Sequence, residues 1–125
     1  QVQGIQIDFD SRTNNLKEYA LFLEKLRKKL PAHYQLSITG LLDWTNFKDQ
    51  NTLNILKNNI DELVIQTYQG TTTIPNYPQY LKRISAMQLP YKIGFVQNGL
   101  RQNNANDSDD PNFKGYVIFL LRSKT

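Results

Sequence analysis

Segments with a strand's period alternate with segments that have a helix's period along almost the whole of this chain, and that rhythm limits the fold more than any other feature. Residues 4–10 read as a strand. Residues 13–30 read as a helix, because Leu16, Ala20, Leu23, Leu26 and Leu30 fall at three- and four-residue spacings and Pro31 stops the run. A second strand is expected over 34–42, a short helix over 52–60 and a third strand over 62–68. A helix over 77–87, a fourth strand over 91–97 and a fifth over 116–121 complete the series. Strands separated by helices pair in parallel, because a crossover helix returns the chain to the same end of the sheet. The fold class expected is therefore α/β, built from βα units around a parallel sheet.

Two architectures use such units. One is an open doubly wound sheet, and the other is a (β/α)8 barrel, whose full form takes roughly 250 residues. A nucleotide-binding open sheet would carry a glycine-rich phosphate loop, and neither G-x-G-x-x-G nor a P-loop is present. The 125 residues are expected to form a single domain, the C-terminal portion of a barrel with about five of its strands. The chain enters a strand almost at once, so it is expected to continue a longer polypeptide. Unpaired sheet edges would then favour self-association or packing on N-terminal strands.

The first strand is also the most suggestive for function. In Gly4-Ile5-Gln6-Ile7-Asp8-Phe9-Asp10, side chains alternate between faces, so Ile5, Ile7 and Phe9 are expected to pack under helices. Gln6, Asp8 and Asp10 take the other face, with two carboxylates at the C-terminal end of the strand. Parallel sheets of this kind build their sites at that edge. The other strand exits add Asp43 and Trp44, Gln66 and Tyr68, and Gln97 and Asn98. Carboxylates, amides and aromatic faces together suit a sugar, whose hydroxyls take hydrogen bonds while its C–H faces stack on rings.

The first strand resembles the D-G-x-D-x-D-x-E signature of chitinase-like family eighteen glycoside hydrolases, which are (β/α)8 barrels. Gln66-Thr67-Tyr68-Gln69 resembles their M-x-Y-D segment. The resemblance implies that Asp8 assists a substrate acetamido group, that Asp10 takes the place of the glutamate general acid, and that Tyr68 is the active-site tyrosine. Gln6, Asp43, Trp44, Gln66 and Gln97 would then contact the sugar. Gln3, Gln6 and Gln69 stand where that pattern has aspartate, and Asp10 is one methylene shorter than glutamate. More of the chain resembles an uncharacterised bacterial domain-of-unknown-function family, through Gln6 to Asp10, Leu36 to Thr39 and Gln66 to Gln69. That likeness implies no activity. The class expected is a carbohydrate-acting, glycoside hydrolase-like domain, with a non-catalytic carbohydrate-binding or scaffold domain as the alternative.

Simpler roles compete at several positions. Asp10 or Ser11 could cap the following helix, and Tyr68 and Trp44 could be packing aromatics. His33, the one histidine, falls beside Pro31 at the opposite end of the sheet. With no cysteine and a single histidine, disulfides and thiolate or histidine-rich metal sites are excluded, and no metal or cofactor is expected. The basic cluster Lys25 to Lys29 lies on an amphipathic helix and reads as a solvated face rather than a nucleic-acid patch. Asp107-Ser108-Asp109-Asp110 lacks the spaced ligands of a calcium loop. No apolar run is long enough to span a membrane. The stretch from Gln97 to Lys114, rich in Asn, Asp and Gly, is expected to be a loop, and the compartment is left open.

Overall fold

A computed structural model describes residues 4–69, 71–97 and 110–120. Strand β1 (Gly4–Ile7) leads through a 3-10 turn at Thr13–Asn15 into helix α1 (Leu16–Lys29). Strand β2 (Gln35–Leu41), a 3-10 turn at Leu42–Asn46 and helix α2 (Gln50–Asn59) follow. Strand β3 (Glu62–Gln66) runs into a small hairpin of β4 (Tyr68–Gln69) and β5 (Thr72–Thr73). Helix α3 (Tyr77–Leu81), a 3-10 turn at Ile84–Met87, and strands β6 (Tyr91–Val96) and β7 (Phe113–Phe119) complete the described chain.

The main sheet has five strands in the order β1-β2-β3-β6-β7, all parallel. The α/β class with parallel βα units is therefore borne out. The order follows the sequence without the reversal that a doubly wound sheet requires. Successive right-handed crossovers then place the helices on one face. The core shows the same one-sidedness. Leu36, Ile38, Leu63, Ile65 and Ile93 share one face by register and are buried with Leu16, Leu23, Leu53, Leu56 and Tyr77 of the helices. This singly wound arrangement is consistent with part of a barrel, in which the helix-free face would be the interior. Gln6, Ser37, Thr39, Val64, Gln66 and Lys92 alternate onto that face, and Lys92 pairs with Glu62 there at 3.5 Å.

Local chemistry accounts for the element ends. Asp49 caps α2, its carboxylate accepting from the Asn51 amide at 3.1 Å and from the Thr52 hydroxyl at 2.9 Å. Asp61 accepts from the Leu36 amide at 2.7 Å, which ties the start of β3 to β2. Gly115, at φ +119, sits in a bulge where β7 spends an extra residue against Tyr91 and Ile93.

Several boundaries differ from expectation. The first strand ends at Ile7, not Asp10, and Phe9 is 55% exposed rather than packed inward. Beyond Ile7 the chain leaves the ladder: the Ser11 amide donates to the Phe9 carbonyl, and Phe9 turns its ring onto Tyr19 at 5.2 Å. The helix expected over 77–87 is split, because Ile84 and Met87 at a spacing of three suit a 3-10 turn as well as an α-helix. The last strand starts earlier, at Phe113. Most of the stretch expected as a loop after Gln97 lies outside the described residues.

Candidate functional site

The C-terminal ends of the parallel strands surround a cleft of about 710 Å³ whose wall includes Asp8, Asp10, Asp43, Gln66 and Tyr68. Asp8 follows the last paired residue of β1 and falls on the helix-free face beside Thr39. The Thr39 hydroxyl donates to Asp8 Oδ1 at 3.1 Å, and Gln66 Nε2 makes a longer 3.5 Å contact to the same oxygen. Both donors are buried, so β2 and β3 together hold the carboxylate that follows β1. Alternation along each strand produces this convergence, since Asp8, Thr39 and Gln66 all occupy positions facing away from the helices.

The exit of β3 is pinned separately. Both the amide and the hydroxyl of Thr67 donate to the Gly94 carbonyl, at 3.1 and 2.9 Å, and the Ile74 amide donates back to the Thr67 carbonyl at 2.8 Å. The hairpin that results carries Tyr68 over the helix-free face, where its ring meets Phe119 at 5.7 Å. Burial, and then the charges of Asp8 and Asp10, push the Tyr68 phenol up to about 12. Tyr68 is therefore a hydrogen-bond donor across the ordinary pH range, beside two carboxylates.

Tyr19 approaches Asp8 from α1. Its phenol is also pushed up to about 12, by burial first and by the charge of Asp8 second. The residue is 6% exposed, and its hydroxyl has no hydrogen-bond partner among the described residues. An unpaired buried hydroxyl costs about 1–3 kcal/mol, so the position calls for an explanation.

The remaining sequence candidates fall elsewhere. Trp44, expected at the sugar, is fully buried and lies outside the cleft wall. Its indole Nε1 donates to the Ser11 carbonyl at 2.7 Å, and its ring covers Gly40 so closely that an added Cβ there would lie 2.8 Å from it. Trp44 thereby fixes the segment that carries Asp8 and Asp10. Gln6 donates to the Ser37 hydroxyl at 3.4 Å, below the cleft on the same face. Gln97, at the end of β6, donates its amide to the Phe119 carbonyl at 2.8 Å and is not part of the cleft wall. Arg12 and Thr39 were not singled out from the sequence. Strand alternation signals Thr39, whereas nothing local signals Arg12. Among the described residues, no group of three or more His, Cys, Asp or Glu side chains is placed to hold a metal ion. Among the described residues, no helix is long and apolar enough to cross a membrane.

These features define an α/β protein with a singly wound parallel sheet and an acidic, amide-lined cleft at its strand exits. The chain belongs to the family described as Domain of unknown function (DUF3142), whose model matches residues 1–90. That match spans β1 to α3 and every residue named in the cleft wall. Neither the curated proteins nor the solved structures searched contain a match.

Proposed function

We propose that the cleft binds a glycan and that the domain acts on it in the manner of a glycoside hydrolase, with Asp8 and Asp10 as the reacting carboxylates. The observation that carries this assignment is the meeting of Asp8, Asp10, Gln66 and Tyr68 in one cleft at the strand exits. Asp8, held by Thr39 and Gln66, would orient the sugar or its acetamido group as a fixed acceptor. Tyr68 would donate a hydrogen bond to the same sugar. Asp10, exposed and one residue beyond Phe9, would protonate the glycosidic oxygen as its bond to C1 breaks, with water taking the place of the leaving sugar at C1. Asp43 and Gln66 supply further partners for hydroxyls.

A second reading has its own support. Gln6 and Gln69 are neutral where the hydrolase signature carries aspartate, and Asp10 reaches less far than glutamate. Those changes favour a domain that binds glycan without cleaving it. In either case the chain would be the C-terminal portion of a longer barrel, with further parallel strands or a second copy against its open edges. A glycan array followed by mass analysis of products tests both. Binding with cleavage supports the hydrolase, binding alone supports the second reading, and no binding across a broad array removes both in favour of a scaffold.

A further inference from the structure

Asp8, Asp10 and Arg12 line not only the polar cleft but also a second groove, of about 720 Å³. The segment from Asp8 to Arg12 is thus a ridge with an opening on either side. The far wall is aromatic. Phe9, Tyr19 and Phe22 form a row, with ring centroids 5.2 Å and then 6.3 Å apart. Phe9 is 55% and Phe22 52% exposed, whereas Tyr19 between them is buried with its hydroxyl unpaired. Asn15 and Glu18 supply polar groups at the rim.

We propose that this aromatic groove is a second sugar subsite, so that a glycan crossing the Asp8–Asp10 ridge lays one ring face on Phe9 and Phe22. The proposal rests on the glycan reading above and extends it to chain length. Exposed aromatic faces bordered by amide and carboxylate groups match a pyranose, which has an apolar C–H face and a polar edge. The shared ridge makes the groove continuous with the cleft, so one oligosaccharide can occupy both sides of the carboxylates. An apolar protein surface covering the same rings would desolvate Asp10 and Glu18, a cost that sugar hydroxyls offset. The Tyr19 hydroxyl is buried with no partner among the described residues, and a sugar or a water carried with it would supply one.

The test is isothermal titration calorimetry of the full-length protein with two probes, chitobiose and chitohexaose. Wild type is expected to bind the hexamer at least about tenfold more tightly than the dimer. The Phe9→Leu/Phe22→Leu double variant keeps apolar bulk but loses the ring faces. It should lose that advantage while its affinity for the dimer stays within about twofold. If the double variant unfolds, Phe22→Leu alone makes the same comparison. An unchanged preference for the hexamer overturns the subsite. So does a double variant whose only change is in sedimentation, which would make the rings a protein contact. Wild type that binds the dimer with no gain for the hexamer overturns the subsite alone, and wild type that binds neither probe overturns the glycan reading and the subsite together.

Discussion

The Thr39 hydroxyl, fully buried in β2, donates to the carboxylate of Asp8 at 3.1 Å, just beyond the end of β1. This bond spans two strands and fixes the direction of the acid at the cleft wall. Thr39→Val keeps the side-chain shape and removes the donor. Hydrogen bonds to charged groups contribute about 1.5–3 kcal/mol, and Asp8 is partly solvated, so a loss of about 1 kcal/mol in urea denaturation is expected. Glycan affinity should fall several-fold with it, because Asp8 would keep only the longer Gln66 contact. Unchanged affinity would show that Asp8 needs no positioning.

Trp44 belongs to the fold, and its substitution should read accordingly. Trp44→Ala removes a fully buried ring and the donor to the Ser11 carbonyl. The expected cost is about 3–5 kcal/mol, the range for large aromatic deletions in cores. Trp44→Phe should cost less, since most of the volume remains. Chemical denaturation measures both. A surface residue poised for sugar would instead show a small stability change and a large loss of binding.

How far the sequence reaches is clear from these residues. Period-two alternation is local, so it correctly separates Ile5 and Ile7 from Gln6 and Asp8, and Leu36 and Ile38 from Thr39. Helix spacing likewise identifies Leu16, Ala20 and Leu23 as buried. Phe9 and Trp44 escape such rules because long-range contacts decide them. The Ser11 carbonyl captures the indole, and the first strand stops short of the place its pattern allows. Tyr19 meets Asp8 only because of how α1 docks. The Tyr68 hairpin depends on two bonds from Thr67 to Gly94 in a strand more than twenty residues away.

Gly40 offers a check on that packing. A Cβ there would lie 2.8 Å from both Leu63 Cδ1 and the Trp44 ring. Neither neighbour can withdraw freely, as both are fully buried. Gly40→Ala should therefore destabilise by about 1–3 kcal/mol, the usual scale for overpacking. Thermal unfolding followed by circular dichroism measures it, and a neutral outcome would mean that the indole can shift without loss.

The two phenols beside Asp8 predict an alkaline transition. Both Tyr19 and Tyr68 are pushed from 10.0 to about 12. A folded-state value above the unfolded one means that the native protein holds its proton longer. Their contribution to stability is thus complete below about pH 10 and is lost as pH rises through about 12. Titration of phenolate absorbance should show two of the seven tyrosines ionising near pH 12. Asp8→Asn removes the second-ranked cause at both sites, so both values should come down part of the way and remain raised by burial. If neither value moves in that variant, the Asp8 charge does not reach these hydroxyls.

The carboxylates themselves give the most direct test of chemistry. Asp8→Asn leaves an oxygen that can still accept from Thr39, so the fold should survive with a small change in melting temperature. Asp10→Asn changes an exposed side chain and should be milder still for stability. If the domain hydrolyses glycans, each substitution should lower turnover by at least about a hundredfold, the scale of losing a general acid or base. The two should differ in binding. Asp8→Asn removes a fixed negative acceptor and should raise KM as well as lower kcat. Asp10→Asn removes a proton at the reacting bond and should act on kcat alone. Oligosaccharide cleavage followed over a series of substrate concentrations separates them, because it reads kcat and KM independently. Wild-type turnover in both variants would show that Asp8 and Asp10 are not the reacting carboxylates.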